Sequence, residues 1–331
     1  MHLVISHASA PGPRCRAASA CLVLPQLQAL LRRSGAVTLQ IGQADSLTPL
    51  AEHVAAGGIY PDGLIPWAAW LAQESDLFQS GQHWALISPC DLQVHSDHVA
   101  MRDPSLLDLG DEDSRALLGA MQPYFEEDGI ALHWHSAGTW LAQGQVFKDL
   151  PSASINRVRG QAIDAWIPRQ SAAQGLRRLQ NEMQMLLYTH PLNDARSARG
   201  QAPVNGFWIS GTGSPAHAQT PKTQADVPSE IMHASASFSG KRSPHALLVD
   251  SLTASALQDD AQTWTQLWQM LDSELLASLT THRTGATEQA LSITLCGNER
   301  ARRFDITGAS LWLRIRQQFT APAISHFVQD L

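Results

Sequence analysis

A short apolar triplet that runs directly into a glycine-rich turn most constrains the fold of this chain. Residues 207–209 (FWI) are followed by residues 210–213 (SGTG). Three large apolar side chains in a row are typical of a buried strand, and the glycines allow a tight turn or a close approach of the backbone. Because α/β proteins usually hold their ligands where a strand of the sheet ends, Ser210, Gly211 and Gly213 are candidate ligand-binding residues.

The residues before this strand form a polar connection between Pro191 and Pro203. Arg196 lies within it, and its guanidinium is suited to bidentate contacts with a phosphate or a carboxylate. Ion pairing with nearby acidic residues is the simpler role for the arginines of this region. His190, just before Pro191, is expected to end a helix and to hydrogen-bond to the turn.

The whole chain limits the class of protein. Its 331 residues favour two lobes or one large α/β domain with an insertion. A net charge of −7 gives no electrostatic basis for a nucleic-acid partner. No apolar stretch approaches the ~20 residues that span a bilayer, so no membrane association is expected. The four cysteines are too few and scattered for a disulfide scaffold, which favours a cytoplasmic setting.

Apolar periodicity places the main elements. Strands are expected at residues 3–6, 83–88, 130–134, 246–249 and 291–295, and helices at 18–33, 61–78 and 171–189. A first strand followed by a helix is the usual start of a parallel α/β sheet. This order predicts a sheet-centred core built from both ends of the chain, with an inserted α+β unit between them.

The motif HP-N-x-x-R-x-x-x-G-x-x-P-x-N, followed by an apolar strand and G-x-G, starts at His190. It resembles the archaeal-type cofactor-independent phosphoglycerate mutases of the alkaline phosphatase superfamily. The segments SDHVAM, PYFEEDG and LQNEMQMLLYTHPLNDAR resemble bacterial RpfE-type regulatory proteins most closely. The resemblance implies an α/β fold with an alkaline-phosphatase-like core sheet flanked by helices (1–84 and 191–331) and an inserted α+β cap (85–190).

Enzymes of this family are expected to use two divalent metals and a serine nucleophile. Their first metal ligand is an aspartate just after the first strand, where this chain has Ser6, His7 and Ser9. Their late ligand cluster contains a histidine, whereas Asp250 is followed here by serines, threonine and two aspartates but no histidine. The comparison predicts no catalytic residue, no metal site and no cofactor; Mn or Zn is expected only if the chain is an enzyme.

Histidines also cluster elsewhere. His95, Asp97 and His98 lie within four residues, and His133 and His135 are two apart on a predicted strand. Without a metal-binding pattern around them, surface or hydrogen-bonded histidines are the favoured interpretation.

Three functions remain open. The first is a non-catalytic or regulatory relative of the mutases that binds a small phosphorylated or carboxylated ligand. The second is an active metal-dependent phosphoglycerate mutase, an isomerase, or a phosphatase with displaced ligands. The third is a module that docks a protein partner. A group of at least three Asp or His side chains around Ser6, Ser9 or Asp250 would favour the second.

Overall fold

The computed structural model of the chain describes residues 1–43, 45–75, 77, 79, 81–214, 240–243, 245–282 and 291–306. The protein is a mixed α/β protein that divides into two compact units. The first unit comprises Met1–Asp45, Pro49–Ile59 and Thr220–Leu331; the second comprises Ser46–Thr48 and Tyr60–Gln219. Among the described residues, no helix combines the length and the apolar character needed to cross a membrane.

The described helices and strands follow in chain order: β1 (His2–Ile5), α1 (Pro13–Ser19), α2 (Pro25–Leu31), β2 (Ser34–Ile41), α3 (Leu50–Ala56), α4 (Trp67–Glu74), β3 (Trp84–Cys90), β4 (Leu92–Val94), β5 (Val99–Met101), α5 (Asp111–Glu127), β6 (Ala131–Ser136), β7 (Thr139–Gln143), α6 (Ile155–Val158), α7 (Gln174–Tyr188), α8 (Pro191–Ala198), β8 (Gly206–Ser210), β9 (Gly240–Arg242), β10 (Leu247–Val249), α9 (Thr253–Leu257), α10 (Ala261–Leu271), α11 (Ala277–His282), β11 (Leu291–Cys296) and β12 (Arg300–Ile306). A π-helical turn, Asp272–Leu276, joins α10 to α11.

The sheet of the first unit has the order β2-β12-β11-β1-β10-β9. The central strand β1 is parallel to β10 and to β11, and the other neighbours are antiparallel. Leu3 and Ile5 on one face pack into a core with Trp264 and Trp268 of α10. Because β1, β10 and β11 are parallel, their carboxyl ends meet at one edge of the sheet.

The sheet of the second unit has the order β6-β7-β3-β8 and is antiparallel at each pair whose register is known. Strand β8 is buried along its whole length and pairs with β3, with Leu86 opposite Ser210. Helix α7 packs onto this core through Leu176, Leu179 and Met183. Their three-to-four spacing places them on one face of the helix. The helix predicted at 171–189 is therefore confirmed.

The predicted α/β fold with a central sheet flanked by helices is confirmed. The predicted boundaries of the inserted unit, 85 and 190, differ from those of the second unit, which includes residues 60–84 and 191–214. The physical reason is strand pairing: β8 is hydrogen-bonded to β3, and helix α4 packs on β3. Strands β3 and β8 share one hydrophobic core with helices α5 and α7, which lie between them in the chain.

Two local predictions are wrong. The single helix expected over 18–33 is two helices, because Pro25 lacks an amide hydrogen and stands at the start of α2. The polar connection expected between Pro191 and Pro203 contains helix α8. Pro191 occupies its first turn, where the missing amide hydrogen costs nothing.

Candidate functional site

The carboxyl ends of β1 and β10 bring together four buried polar residues, which we call the strand-edge cluster: Ser6, His7, Asp250 and Thr253. The Ser6 amide donates to the carbonyl of Val249 at 2.9 Å, joining the two strand ends. Ser6 Oγ lies 3.0 Å from His7 Nδ1, and Thr253 Oγ1 donates to Ser6 Oγ at 3.4 Å. All four residues are at most 6% exposed, so the cluster is enclosed by protein.

The turn that carries this cluster is held on several sides. His7 adopts a left-handed backbone conformation with φ of 51°. Its carbonyl accepts a hydrogen bond from Trp264 Nε1 at 3.2 Å, and the Ala8 amide donates to the Cys296 carbonyl at 2.7 Å. These contacts fix a conformation that costs energy for a residue with a side chain.

The chemistry of the strand-edge cluster is that of two hydroxyls, one imidazole and one carboxylate. Two divalent cations close together need several carboxylate or imidazole ligands, and this donor set supplies one of each, so it does not fit a two-metal centre. Within the described parts of the chain, no three His, Cys, Asp or Glu side chains converge in a way that could hold a metal ion. The arrangement can hold the hydroxyls of Thr253 and Ser6 in a hydrogen-bonded chain that ends at the imidazole of His7.

The glycine-rich loop after β8 is packed against helix α4. Gly211 has φ of 67°, and a Cβ atom there would lie 3.1 Å from the Trp67 Cβ. The carbonyl of Gly211 accepts a hydrogen bond from the Ala68 amide at 3.2 Å, at the start of the helix. The loop therefore supplies an acceptor for one amide of the first turn of α4, where amides have no partner within the helix.

The rest of the loop is equally enclosed. A Cβ atom on Gly213 would lie 1.8 Å from the carbonyl oxygen of Leu64, and Thr212 donates a hydrogen bond to the carbonyl of Leu150. Ser210 is 2% exposed, and its Oγ is buried with no hydrogen-bond partner among the described residues. Close backbone packing thus accounts for both glycines; a ligand-binding role for Ser210, Gly211 and Gly213 stays a prediction.

Arg196 lies fully buried in α8 and donates to three acceptors of the protein. Its Nε donates to the Ala202 carbonyl at 2.9 Å, one Nη to Asp113 at 3.3 Å, and the other Nη to the Leu107 carbonyl. Ala202 precedes β8 whereas Ser210 ends it, so the structure places Arg196 and the glycine-rich loop at opposite ends of this strand. Its ion-pair partner, Asp113, is distant in sequence, and no local feature of the chain could have identified it.

Other residues of the sequence motif also bind the chain itself. His190 caps α8, its Nδ1 accepting from the Leu192 amide at 3.2 Å, as expected for a residue at a helix boundary. Asn193 bonds to the carbonyls of Leu187 and Val204 and accepts from the Val204 amide. The motif is therefore a framework that connects α7, α8 and β8.

The two histidine clusters have local contacts. His95 and His98 stack with ring centroids 4.7 Å apart in the β4–β5 hairpin, and His98 contacts Asp97 at 2.7 Å. His133 lies beside Trp84, and burial lowers its pKa below the usual value. These contacts agree with the interpretation as surface or hydrogen-bonded histidines.

No protein-family model matches the chain, and no curated protein matches its sequence. Several solved structures are similar, and two of them are as follows. The protein PH0037 from Pyrococcus horikoshii has a TM-score of 0.51 and 13% sequence identity, over 94% of this chain and 88% of that one. The cofactor-independent phosphoglycerate mutase from Thermoplasma acidophilum DSM 1728 has a TM-score of 0.35 and 12% identity, over 93% and 90% of the two chains. The first likeness supports the mixed α/β fold alone, and the second is too weak to carry an argument.

Proposed function

We propose that this protein is a non-catalytic, regulatory relative of the cofactor-independent phosphoglycerate mutases that acts by binding a small anionic ligand in the cytoplasm. The observation that carries the proposal is the composition of the strand-edge cluster. The sequence resemblance places the first metal ligand of the mutases at the end of the first strand. In this chain that position is the hydrogen-bonded pair Ser6 and His7.

Phosphoryl transfer through a serine requires an activated hydroxyl and cations that neutralise the charge of the transferred group. Ser6 Oγ has ordinary hydroxyl and imidazole neighbours, and Asp250 is the single carboxylate of the cluster. Both residues are almost completely buried, which keeps a phosphorylated substrate away from the hydroxyl. The regulatory role follows the resemblance of residues 179–196 to RpfE-type proteins.

We expect the full-length protein to give no conversion of 3-phosphoglycerate to 2-phosphoglycerate above background, with or without added Mn²⁺. The physical reason is that the buried Ser6 hydroxyl has an imidazole and a second hydroxyl as its hydrogen-bond partners, which do not supply the charge needed for transfer. A coupled assay over several hours, with a known mutase as positive control, measures this directly. Metal analysis of the same sample tests the related expectation that no Mn or Zn copurifies.

The competing function is an active enzyme whose ligands come from positions outside the family pattern. It predicts Mn-dependent turnover that Asp250→Asn abolishes and Asp260→Asn leaves intact, since Asp260 caps α10 through the Thr263 amide. Turnover with that pattern of variants would replace our proposal.

A further inference from the structure

A cavity of about 560 Å³ lies in the first unit, beside helix α3 and over strands β1, β12 and β2. Its apolar lining includes Leu50 and Val54 of α3 and Ile59, which follows the helix. Its polar lining includes His2 and Arg303, which the strand register places on the same face of the sheet. The cavity therefore combines an apolar wall with a fixed cationic group, which is the usual composition of a small-molecule site.

The part of the cavity wall that α3 forms is held in place by contacts within the protein. Gly57 ends α3 in the left-handed conformation, with φ of 65°, and a Cβ atom there would lie 2.5 Å from the Cβ of His245. Ser243 Oγ donates to the carbonyl of Ala55 at 2.5 Å. These contacts hold the end of the helix against the segment before β10, so a ligand does not have to order this wall.

Among the described lining residues, Arg303 carries the one permanent positive charge. His2 Nε2 bonds to Thr294 Oγ1 at 2.8 Å, and burial, reinforced by the nearby Arg303, lowers the pKa of His2 to about 4. His2 is consequently neutral at pH 7. Arg303 Nε donates to Asp305 at 2.9 Å, and its side chain is 41% exposed. Since Asp305 occupies Nε, both Nη groups of the guanidinium remain as the donors that can face a ligand.

We propose that this cavity binds a small organic monocarboxylate with an apolar body, its carboxylate on Arg303 and its body against Leu50, Val54 and Ile59. The planar guanidinium matches a carboxylate in a bidentate pair. A single cation beside the carboxylate of Asp305 favours a monoanion over a dianionic phosphate. Burial of hydrocarbon surface against the apolar wall makes the binding free energy more favourable. The proposal is independent of whether the strand-edge cluster is catalytic.

Benzoate is the probe, titrated into the full chain by calorimetry and by NMR of the backbone amides. We expect saturable binding with a dissociation constant of about 1 mM or lower. Shifts should concentrate at Ile41, His53 and Gly58, which line the cavity. Benzamide, a neutral molecule of the same shape, and inorganic phosphate, an anion without an apolar body, should each bind at least about tenfold more weakly.

Two matched variants test whether the positive charge of Arg303 is the one that binds the carboxylate. Arg303→Gln should weaken benzoate binding about tenfold or more, because a charge-assisted pair is lost. Arg300→Gln removes the same charge from an exposed position of the same strand and should change the affinity less than about twofold. Ile59→Ser tests the apolar wall separately. The side chain of Ile59 is 62% exposed, so its replacement leaves the core intact while weakening binding several-fold.

The proposal is overturned if benzoate does not saturate the protein, if benzamide or phosphate binds as tightly, or if Arg303→Gln binds benzoate like the wild type. Should Arg303→Gln fail to fold, Ile59→Ser decides in its place, and unchanged benzoate affinity in that variant overturns the proposal. None of these outcomes depends on the mutase assay, so the two proposals can fail separately.

Discussion

Replacing Arg196 by methionine is expected to lower the free energy of unfolding by about 3–5 kcal/mol. The side chain is completely buried, and its guanidinium donates hydrogen bonds to Asp113 and to two backbone carbonyls. Methionine fills similar space but takes this donor from the Ala202 and Leu107 carbonyls, and Asp113 keeps Arg199 as its remaining partner. Urea denaturation followed by tryptophan fluorescence measures the loss.

The matched control is Arg199→Gln. Arg199 contacts the same carboxylate of Asp113 at 2.8 Å, but its side chain is half exposed. A surface ion pair of this kind contributes at most about 1 kcal/mol. Equal destabilisation by the two variants would show that Arg196 acts through charge alone and that its buried hydrogen bonds to carbonyls contribute little.

Gly213→Ala is expected to destabilise the second unit by about 3 kcal/mol or more. The added Cβ would lie 1.8 Å from the carbonyl oxygen of Leu64 and 2.8 Å from the carbonyl carbon of Ile65. Both neighbours are backbone atoms, so no rotation of a side chain can relieve the clash. A fall in the melting temperature, measured by calorimetry, would report this change.

Gly119→Ala provides the opposite case in the same unit. Gly119 lies inside helix α5, and a Cβ atom there meets nothing within 4 Å. Alanine should raise the stability by roughly 0.5–1 kcal/mol, because it restricts the unfolded chain and favours the helix. If Gly213→Ala were as well tolerated as Gly119→Ala, the close packing of the glycine-rich loop would be refuted.

The elements that could be predicted from the sequence are those with a strong apolar signal. Strands β1, β8 and β11 are buried at almost every position, and helix α7 shows a regular apolar face. Strand β2 was missed because it lies at the edge of its sheet, where Val37 and Leu39 are half exposed. Strand β12 was missed because three of its seven residues are arginines.

The candidate sites depend on contacts that no local pattern contains. Ser6 and Asp250 were recognised because each follows an apolar strand, but their neighbourhood depends on parallel pairing between distant strands. The cavity residues His2 and Arg303 are separated by most of the chain. The only sequence signal for them was the alternation of polar and apolar residues in β12, which requires the strand to be known first.

The central position of β1 has a consequence for the way the protein is made. Leu3 pairs with Leu247 on one side and with Ile293 on the other, so both neighbours of β1 are synthesised long after β1 itself. Pairings this distant in sequence close large loops and form slowly. During synthesis the apolar strand has no partner for hundreds of residues, whereas the second unit already has all four strands of its sheet. The second unit should therefore fold first on the ribosome. Strand β1 stays unpaired and exposed during that time, so it is a segment that chaperones would be expected to protect.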